Sequence, residues 1–315
     1  MDAGFIDLQV NGYAGVDFNQ DDLDAEKLHL ACDRLSAEGV SAILATVITE
    51  EISIMEARLR QITRLRGADP LAQRLIAGIH IEGPFLNPAP GYRGAHPEDA
   101  IRPADVDGMK RLLDAAEGLT RIVTLAPEND DNLTVTRYLA NEGIIVAAGH
   151  CDPSRDVLDA AIDAGLSMFT HLGNGCPMQM ARHDNIIQRA LSRSERLTIC
   201  FIADGVHIPF FALKNYLKIA GIERSVIVTD AIAAAGLGPG RYRLSRWEVV
   251  VGDDGAARAP DNSHLVGAAV TMQQSADNLR DHVGLNEDEV ARLTKQNPSS
   301  LIFSSGYSQK GTIAL

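Results

Sequence analysis

The sequence predicts an α/β fold, a (β/α)8 barrel of the TIM type, on three observations. Short apolar runs alternate with longer stretches whose apolar residues recur at helical spacing, and eight such pairs follow one another. The runs are continuous rather than alternating, as expected of parallel strands covered on both faces. Residues able to carry chemistry stand where several of these runs end, and a barrel gathers its strand ends at one mouth. A doubly wound open sheet is the competing arrangement.

Taken in order, residues 5–10 form the first strand and 22–38 a helix with apolar residues at Leu23, Leu28, Leu30, Ala31 and Leu35. Strand 40–49 is followed by helix 52–66, and strand 75–81 leads into Glu82. A loop rich in Pro and Gly (NPAPGYRGAHPEDA) precedes a helix over 104–117. Strand 119–126, helix 132–142 and strand 144–149 come next. The following helix, 153–164, would carry Pro153 in its permitted first turn. Strand 166–170, helix 185–192, strand 197–203, helix 209–220 and strand 225–229 complete the eight. Beyond them, RYRLSRWEVVVGDDGAARA reads as a hairpin turning at DDG, and helices are expected at 271–282 and 287–295. No internal repeat or linker interrupts residues 1–315, so one barrel domain is expected, with 241–315 packed on it.

With 45% hydrophobic and 23% charged residues, the 315-residue chain has ample material for a core. Its net charge of −13 argues against broad contact with nucleic acid or an anionic membrane. A local cluster of cations could still hold an anionic small molecule. The four cysteines, Cys32, Cys151, Cys176 and Cys200, form no CxxC pair and read as reduced thiols. Cys151 directly follows His150, so in extended chain its thiol would point the other way. No signal sequence or membrane-length apolar run is evident, and a cytoplasmic location is expected.

Three strand ends carry metal-ligand side chains: Glu82 in GIHIEGPFLNP, His150 in VAAGHCDPS and His171 in MFTHLGNG. A loop salt bridge or helix cap would explain any one of them. One carboxylate and two imidazoles at one mouth instead leave a divalent cation open positions for water, as hydrolytic chemistry requires. Asp230, ending the strand of SVIVTDA, is placed to move the proton; its alternative is an N-cap for the AIAAAG segment. His207 in IADGVHIP is a candidate to polarise a carbonyl, and His96 in RGAH to bind substrate, although a lone loop histidine is more often simply solvated. Arg182 could grip a carboxylate or phosphate with its forked guanidinium, or be an exposed helix-start arginine.

At these residues the sequence resembles the N-acetylglucosamine-6-phosphate deacetylases of the amidohydrolase superfamily. The resemblance runs over nearly the whole chain through ordered motifs: GFIDLQVNG from Gly4, HIEGPFLNP from His80, RGAH from Arg93, AGHCDPS from Ala148, THLGN from Thr170, ADGVH from Ala203, VTDA from Val228 and LVGAAVTM from Leu265. It implies that Glu82, His150 and His171 bind one divalent metal per subunit, zinc first, with iron, cobalt or manganese as alternatives. It implies Asp230 as acid and base, and a sugar pocket lined by Ala95, His96, Asn174, Gly175, His207, Leu265, Val266 and Gly267. Arg182 matches an arginine that reaches the phosphate bound by a neighbouring subunit, which implies a homodimer. Most superfamily members hold a second metal with a His-x-His pair on the first strand, where this chain has Gln9-Val10-Asn11.

The chain also departs from the family pattern. It begins at the first barrel strand and ends at KGTIAL, so the small flanking β-sandwich is expected to be largely missing. Gly173-Asn174-Gly175-Cys176-Pro177 follows His171, His183-Asp184-Asn185 follows Arg182, and Val266 and Ala268 replace smaller or hydroxylated residues. These changes leave the metal residues alone and bear on the sugar and acyl pocket. The expected reaction is removal of the N-acetyl group of an amino-sugar 6-phosphate in amino-sugar catabolism. A related hydrolase of another amide or cyclic amide, and a non-catalytic barrel that binds a sugar phosphate, are the rival readings.

Overall fold

In the computed structural model, which describes residues 4–303, eight parallel strands follow one another around a barrel in chain order. They are Phe5–Val10, Val40–Ile48, Ile76–Glu82, Thr120–Leu125, Ile145–Ala148, Leu166–Phe169, Thr198–Ile202 and Ser225–Val228. Alternation along them separates two cores. Ile43, Ala45, Ile79, Ile81, Val123 and Leu125 face outward and pack with helix residues such as Leu28, Met55 and Leu59. Leu8, Leu44, Ile122, Met168, Ile202 and Val226 fill the inside.

The surrounding helices begin where the chain supplies caps. Asp24 accepts from Lys27 N (2.9 Å) to open Ala25–Ala37, and Asn185 from Gln188 N (3.1 Å) to open Ile186–Leu191. Helix Arg155–Asp163 is capped by Ser154, which takes Val157 N (3.3 Å), so Pro153 lies ahead of the helix rather than in its first turn. An additional short helix, Pro70–Leu75, precedes the third strand; Asp69 caps it and Pro70 opens it, so Leu75 is helical and the strand starts at Ile76. The expected hairpin is a three-stranded antiparallel sheet: Gly240–Leu244 pairs with Trp247–Val251, which turns at DDG to pair with Ala257–Arg258. Among the described residues the only other antiparallel strand pair is Gly12–Tyr13 with Val16–Asp17. The final helical run, from Met272–Asn278 to Asn297–Phe303, is stapled to the barrel by side-chain amides: Asn278 donates to Ala203 O (2.9 Å) and Asn297 to Ser225 O (2.7 Å). The KGTIAL ending lies outside the described residues.

The barrel closes between its last and first strands by an unusual seam. Asn11 N donates to Ala231 O (2.8 Å), and below it Asp7 accepts from Thr229 N and Gln9 N, each at 3.2 Å, and from the Thr229 hydroxyl at 2.5 Å. A carboxylate thus bonds across the seam where ladder bonds are sparse. Register with the second strand slips between Asp7 and Val10. Leu8 lies in the interior core while Gln9, the next residue, also turns inward to Glu82 and Asp230. Two consecutive inward side chains are the signature of a β-bulge, and this one aims Gln9 at the mouth.

Burial pushes the Asp7 carboxyl up to about 7, with its three donors pulling the other way. A folded-state value above the unfolded one means the folded chain binds the extra proton. Stability from this group is therefore full below pH ~4 and declines as pH rises to about 7, by about 4 kcal/mol in total. Asp7→Asn is expected to flatten that decline in thermal melts between pH 5 and 8. An unchanged pH slope would contradict it.

Candidate metal centre and active site

Four side chains meet at the carboxyl mouth of the barrel, and three of them stand on strained backbone. His150, His171 and Asp230 each follow their strand within two residues at positive φ (50°, 29° and 53°). Non-glycine residues in that region carry a conformational cost and persist where the surroundings over-determine them. The turn redirects each side chain from the strand's pleat to the centre of the mouth. No helix follows Asp230, which disposes of the N-cap alternative.

Both imidazole Nε2 atoms approach the same carboxylate oxygen, Glu82 Oε1, at 2.9 Å from His171 and 3.5 Å from His150. Burial pushes Glu82 up, but hydrogen bonds from His150 and His171 hold it well below the usual carboxylate range. Burial pulls His171 down, and its bond to Glu82 together with the Glu82 and Asp230 charges outweighs that and raises it. Among the described residues these three form the one group able to hold a metal, with ligand atoms within 4.8 Å of one another. Cys151 is buried and takes no part in that group.

The donor set fits a divalent cation of the zinc type: one carboxylate oxygen and two imidazole nitrogens, buried and convergent. His150 is already oriented for ligation. Its Nδ1 lies 2.8 Å from Tyr92 O, and because a carbonyl only accepts, Nδ1 carries a proton there and Nε2 is the nitrogen turned toward Glu82. The ring is gripped from both sides by backbone without side chains. A Cβ on Gly94 would sit 2.9 Å from His150 Cε1, and one on Gly175 2.7 Å from Nδ1. Both glycines also have positive φ, so two independent constraints demand glycine there.

Asp230 is held by amides. Asn11 Nδ2 donates to its Oδ1 at 2.7 Å and Gln9 Nε2 at 3.2 Å, and Gln9 Nε2 also reaches Glu82 Oε1 at 3.1 Å. Burial, with the Glu82 charge adding to it, pushes the Asp230 carboxyl up to about 6. Gln9 therefore ties the two carboxylates together while Asn11 adds a second bond to Asp230, a role beyond merely replacing imidazoles.

Ala95, His96, Asn174, Leu265 and Gly267 line one small cavity with Glu82, His150 and Asp230. His96 meets the His150 ring edge-on at 4.3 Å between centroids, and burial lowers it to about 3, so it is neutral. Gly175 touches the His150 ring, as noted. His207 Nδ1 lies 2.6 Å from Asp204 Oδ2, and its Nε2 is buried with no partner. Asp204 also accepts from the backbone N of Val206 and His207, both at 2.9 Å. The i,i+3 spacing in ADGVH carried that pairing in plain sight. Val266, Arg182 and His207 are not among the residues lining that cavity: Val266 packs in the apolar cluster behind its Ile48–Leu244 wall, Arg182 is exposed on the loop before Ile186–Leu191, and His207 stands against Asp204. Ile48 and Leu244, which also line the cavity, carry no motif that marks them.

A barrel that spends backbone strain to point two imidazoles and an aspartate at one buried glutamate is of the metal-dependent amidohydrolase kind. No family model matches the chain. It is, however, 32% identical over 320 residues to the N-acetylglucosamine-6-phosphate deacetylase of Bacillus subtilis (strain 168), an alignment covering 99% of this chain and 77% of that one. It is 30% identical to the N-acetylgalactosamine-6-phosphate deacetylase of Escherichia coli O157:H7, covering 95% and 77%. Among solved structures it superimposes with a TM-score of 0.86 on a mutant N-acetyl-D-glucosamine-6-phosphate deacetylase from Mycobacterium smegmatis in complex with N-acetyl-D-glucosamine-6-phosphate. That match has 31% identity and covers 95% of this chain and 77% of that one. The chain belongs to the N-acetylglucosamine-6-phosphate deacetylase family. Among the described residues, no helix is long and apolar enough to cross a membrane.

Proposed function

We propose that this protein hydrolyses the N-acetyl group of N-acetylglucosamine 6-phosphate, or of a close amino-sugar 6-phosphate, to the amine and acetate. The observation that carries the reading is the meeting of Glu82, His150 and His171 beside the amide-held carboxylate of Asp230. Glu82, His150 and His171 would hold one divalent cation, zinc by donor type, which when bound supplies Lewis acidity and lowers the pKa of water toward neutrality.

The chain's own groups perform the rest. Asp230 Oδ1 is occupied by Asn11 and Gln9, which leaves Oδ2 to take the proton of the attacking water and pass it to the departing nitrogen. Without that proton an amine is a poor leaving group. His207, oriented by Asp204 through Nδ1, offers its unpartnered Nε2 to the substrate carbonyl oxygen as charge develops there. His96, Ala95, Asn174, Gly175 and Gly267 shape the pocket, with Leu265 at its edge. Val266 would act by holding that segment from behind. The absence of a second imidazole pair, with Gln9 and Asn11 bonded to the carboxylates instead, supports one metal per subunit.

Acetate release from N-acetylglucosamine 6-phosphate, its galacto epimer and the unphosphorylated sugar, with metal analysis of the same sample, tests the reading. Metal without acetate release from any of them would reject it. The galacto epimer belongs in the panel because a relative named for it matches at 30% identity.

Exposed Arg182 is proposed to reach the phosphate of a substrate bound in a second subunit, making the working form a homodimer. Arg182→Ala is then expected to raise KM for the phosphorylated substrate about 10- to 100-fold, the range for a hydrogen bond to a charged group, with kcat nearly unchanged. Equal KM in wild type and variant would detach this residue from the phosphate.

A further inference from the structure

The cavity beside Glu82, His150 and Asp230 has two unlike walls. Asn11, His96 and Asn174 make the polar one; Ile48, Ala95, Leu244 and Leu265 make the other. Ile48 ends the second barrel strand and Leu244 ends the first strand of the small antiparallel sheet. Both are almost wholly buried in one apolar cluster with Ile232, Val249, Val251 and Val266. Packed side chains thus stand directly behind this wall, and a close-packed interior yields little to an added methylene.

Size narrows the occupant. The cavity volume is about 40 Å3. A space of this size beside the three metal-ligand and proton-moving groups suits a small group rather than a sugar ring. An acetyl group is small enough, with only its carbonyl carbon, oxygen and methyl to place. The sugar and its phosphate are far larger and must lie toward the open side. Of the three acetyl atoms, the methyl is the one that cannot hydrogen-bond and belongs against the apolar wall.

We propose that Ile48 and Leu244 form the acyl-methyl subsite and set the limit on acyl length in this deacetylase. The inference rests on the deacetylase reading above. The hydrolysis is unchanged: water adds to the carbonyl carbon, the carbon–nitrogen bond breaks, the nitrogen leaves protonated, and the acyl group departs as its carboxylate. What Ile48 and Leu244 decide is which acyl groups reach the attacking geometry.

The test is a series of N-formyl, N-acetyl, N-propionyl and N-butyryl glucosamine 6-phosphates with metal-loaded wild type, Leu244→Ala, Leu244→Phe and Ile48→Val. Wild-type kcat/KM should fall at least about 10-fold from acetyl to propionyl, in line with the weight of one methylene in a tight apolar pocket. Leu244→Ala should raise the propionyl-to-acetyl ratio at least about 10-fold, Ile48→Val less and in the same direction. Leu244→Phe should shift preference toward formyl. Circular dichroism and metal content identify folded variants, and if Leu244→Ala does not fold, the phenylalanine and Ile48→Val variants decide the question. Flat acyl ratios in folded variants overturn the subsite while leaving the deacetylase reading standing. A wild type that releases no carboxylate, acetate included, rejects that reading and the subsite with it.

Discussion

Asp230→Asn is expected to lower the rate of acetate release by about 10^2- to 10^4-fold, the contribution of a positioned general acid–base, while metal content stays as in wild type. Asparagine preserves the shape and can still accept from Asn11 and Gln9 at one oxygen, so the packing around the mouth has no reason to change. What it removes is the second carboxylate oxygen, the atom assigned to carry the proton. The variant also relieves a buried charge whose carboxyl burial had raised to about 6 beside Glu82. A melting temperature at or above wild type, together with lost turnover, would therefore separate the chemical role from a structural one. Wild-type turnover in a folded Asp230→Asn protein would end the assignment.

His171→Ala is expected to abolish metal retention. Changing a residue that merely supports a ligand costs about 10- to 100-fold in metal affinity, so losing one of three ligands should cost at least that much. The readout need not be activity. A metal at 100 times its Kd stabilises the folded state by about 2.7 kcal/mol, so adding zinc to stripped wild type should raise the melting temperature and move His171→Ala by no more than about half as much. Equal metal-induced shifts in the two proteins would remove His171 from the ligand set. Glu82→Gln offers a second check, since it withdraws the charge that draws both imidazoles together.

The barrel was legible in the sequence because most strands are largely apolar runs, and the first strand, though broken by Asp7 and Gln9, has the bounds Phe5 and Val10 that the pattern suggests. Glu82, His150, His171 and Asp230 were legible as well, since each closes such a run. Less visible was anything set by backbone geometry. Nothing about a histidine or an aspartate announces positive φ, yet three of the four adopt it. The bulge at Leu8–Gln9 has no glycine to betray it, so the amide bridging Glu82 and Asp230 read from sequence only as a missing imidazole. Pro153 lies outside the helix that the pattern gives it because Ser154, a better cap, stands beside it. The apolar wall escaped notice for a further reason: Leu244 is distant in sequence from Ile48, and only the fold of the late antiparallel strands brings the two together.

That late sheet, anchored to the barrel through Ser245 and Arg246, brings one half of the proposed acyl wall. Leu244 and the valines behind it, Val249 and Val251, come from one continuous segment that supplies none of Glu82, His150, His171 or Asp230. One half of the proposed acyl wall thus sits apart from the hydrolytic residues and the other half, Ile48, on a barrel strand. Changes at Leu244 therefore alter the shape of the wall without touching the residues that hold the metal or move the proton.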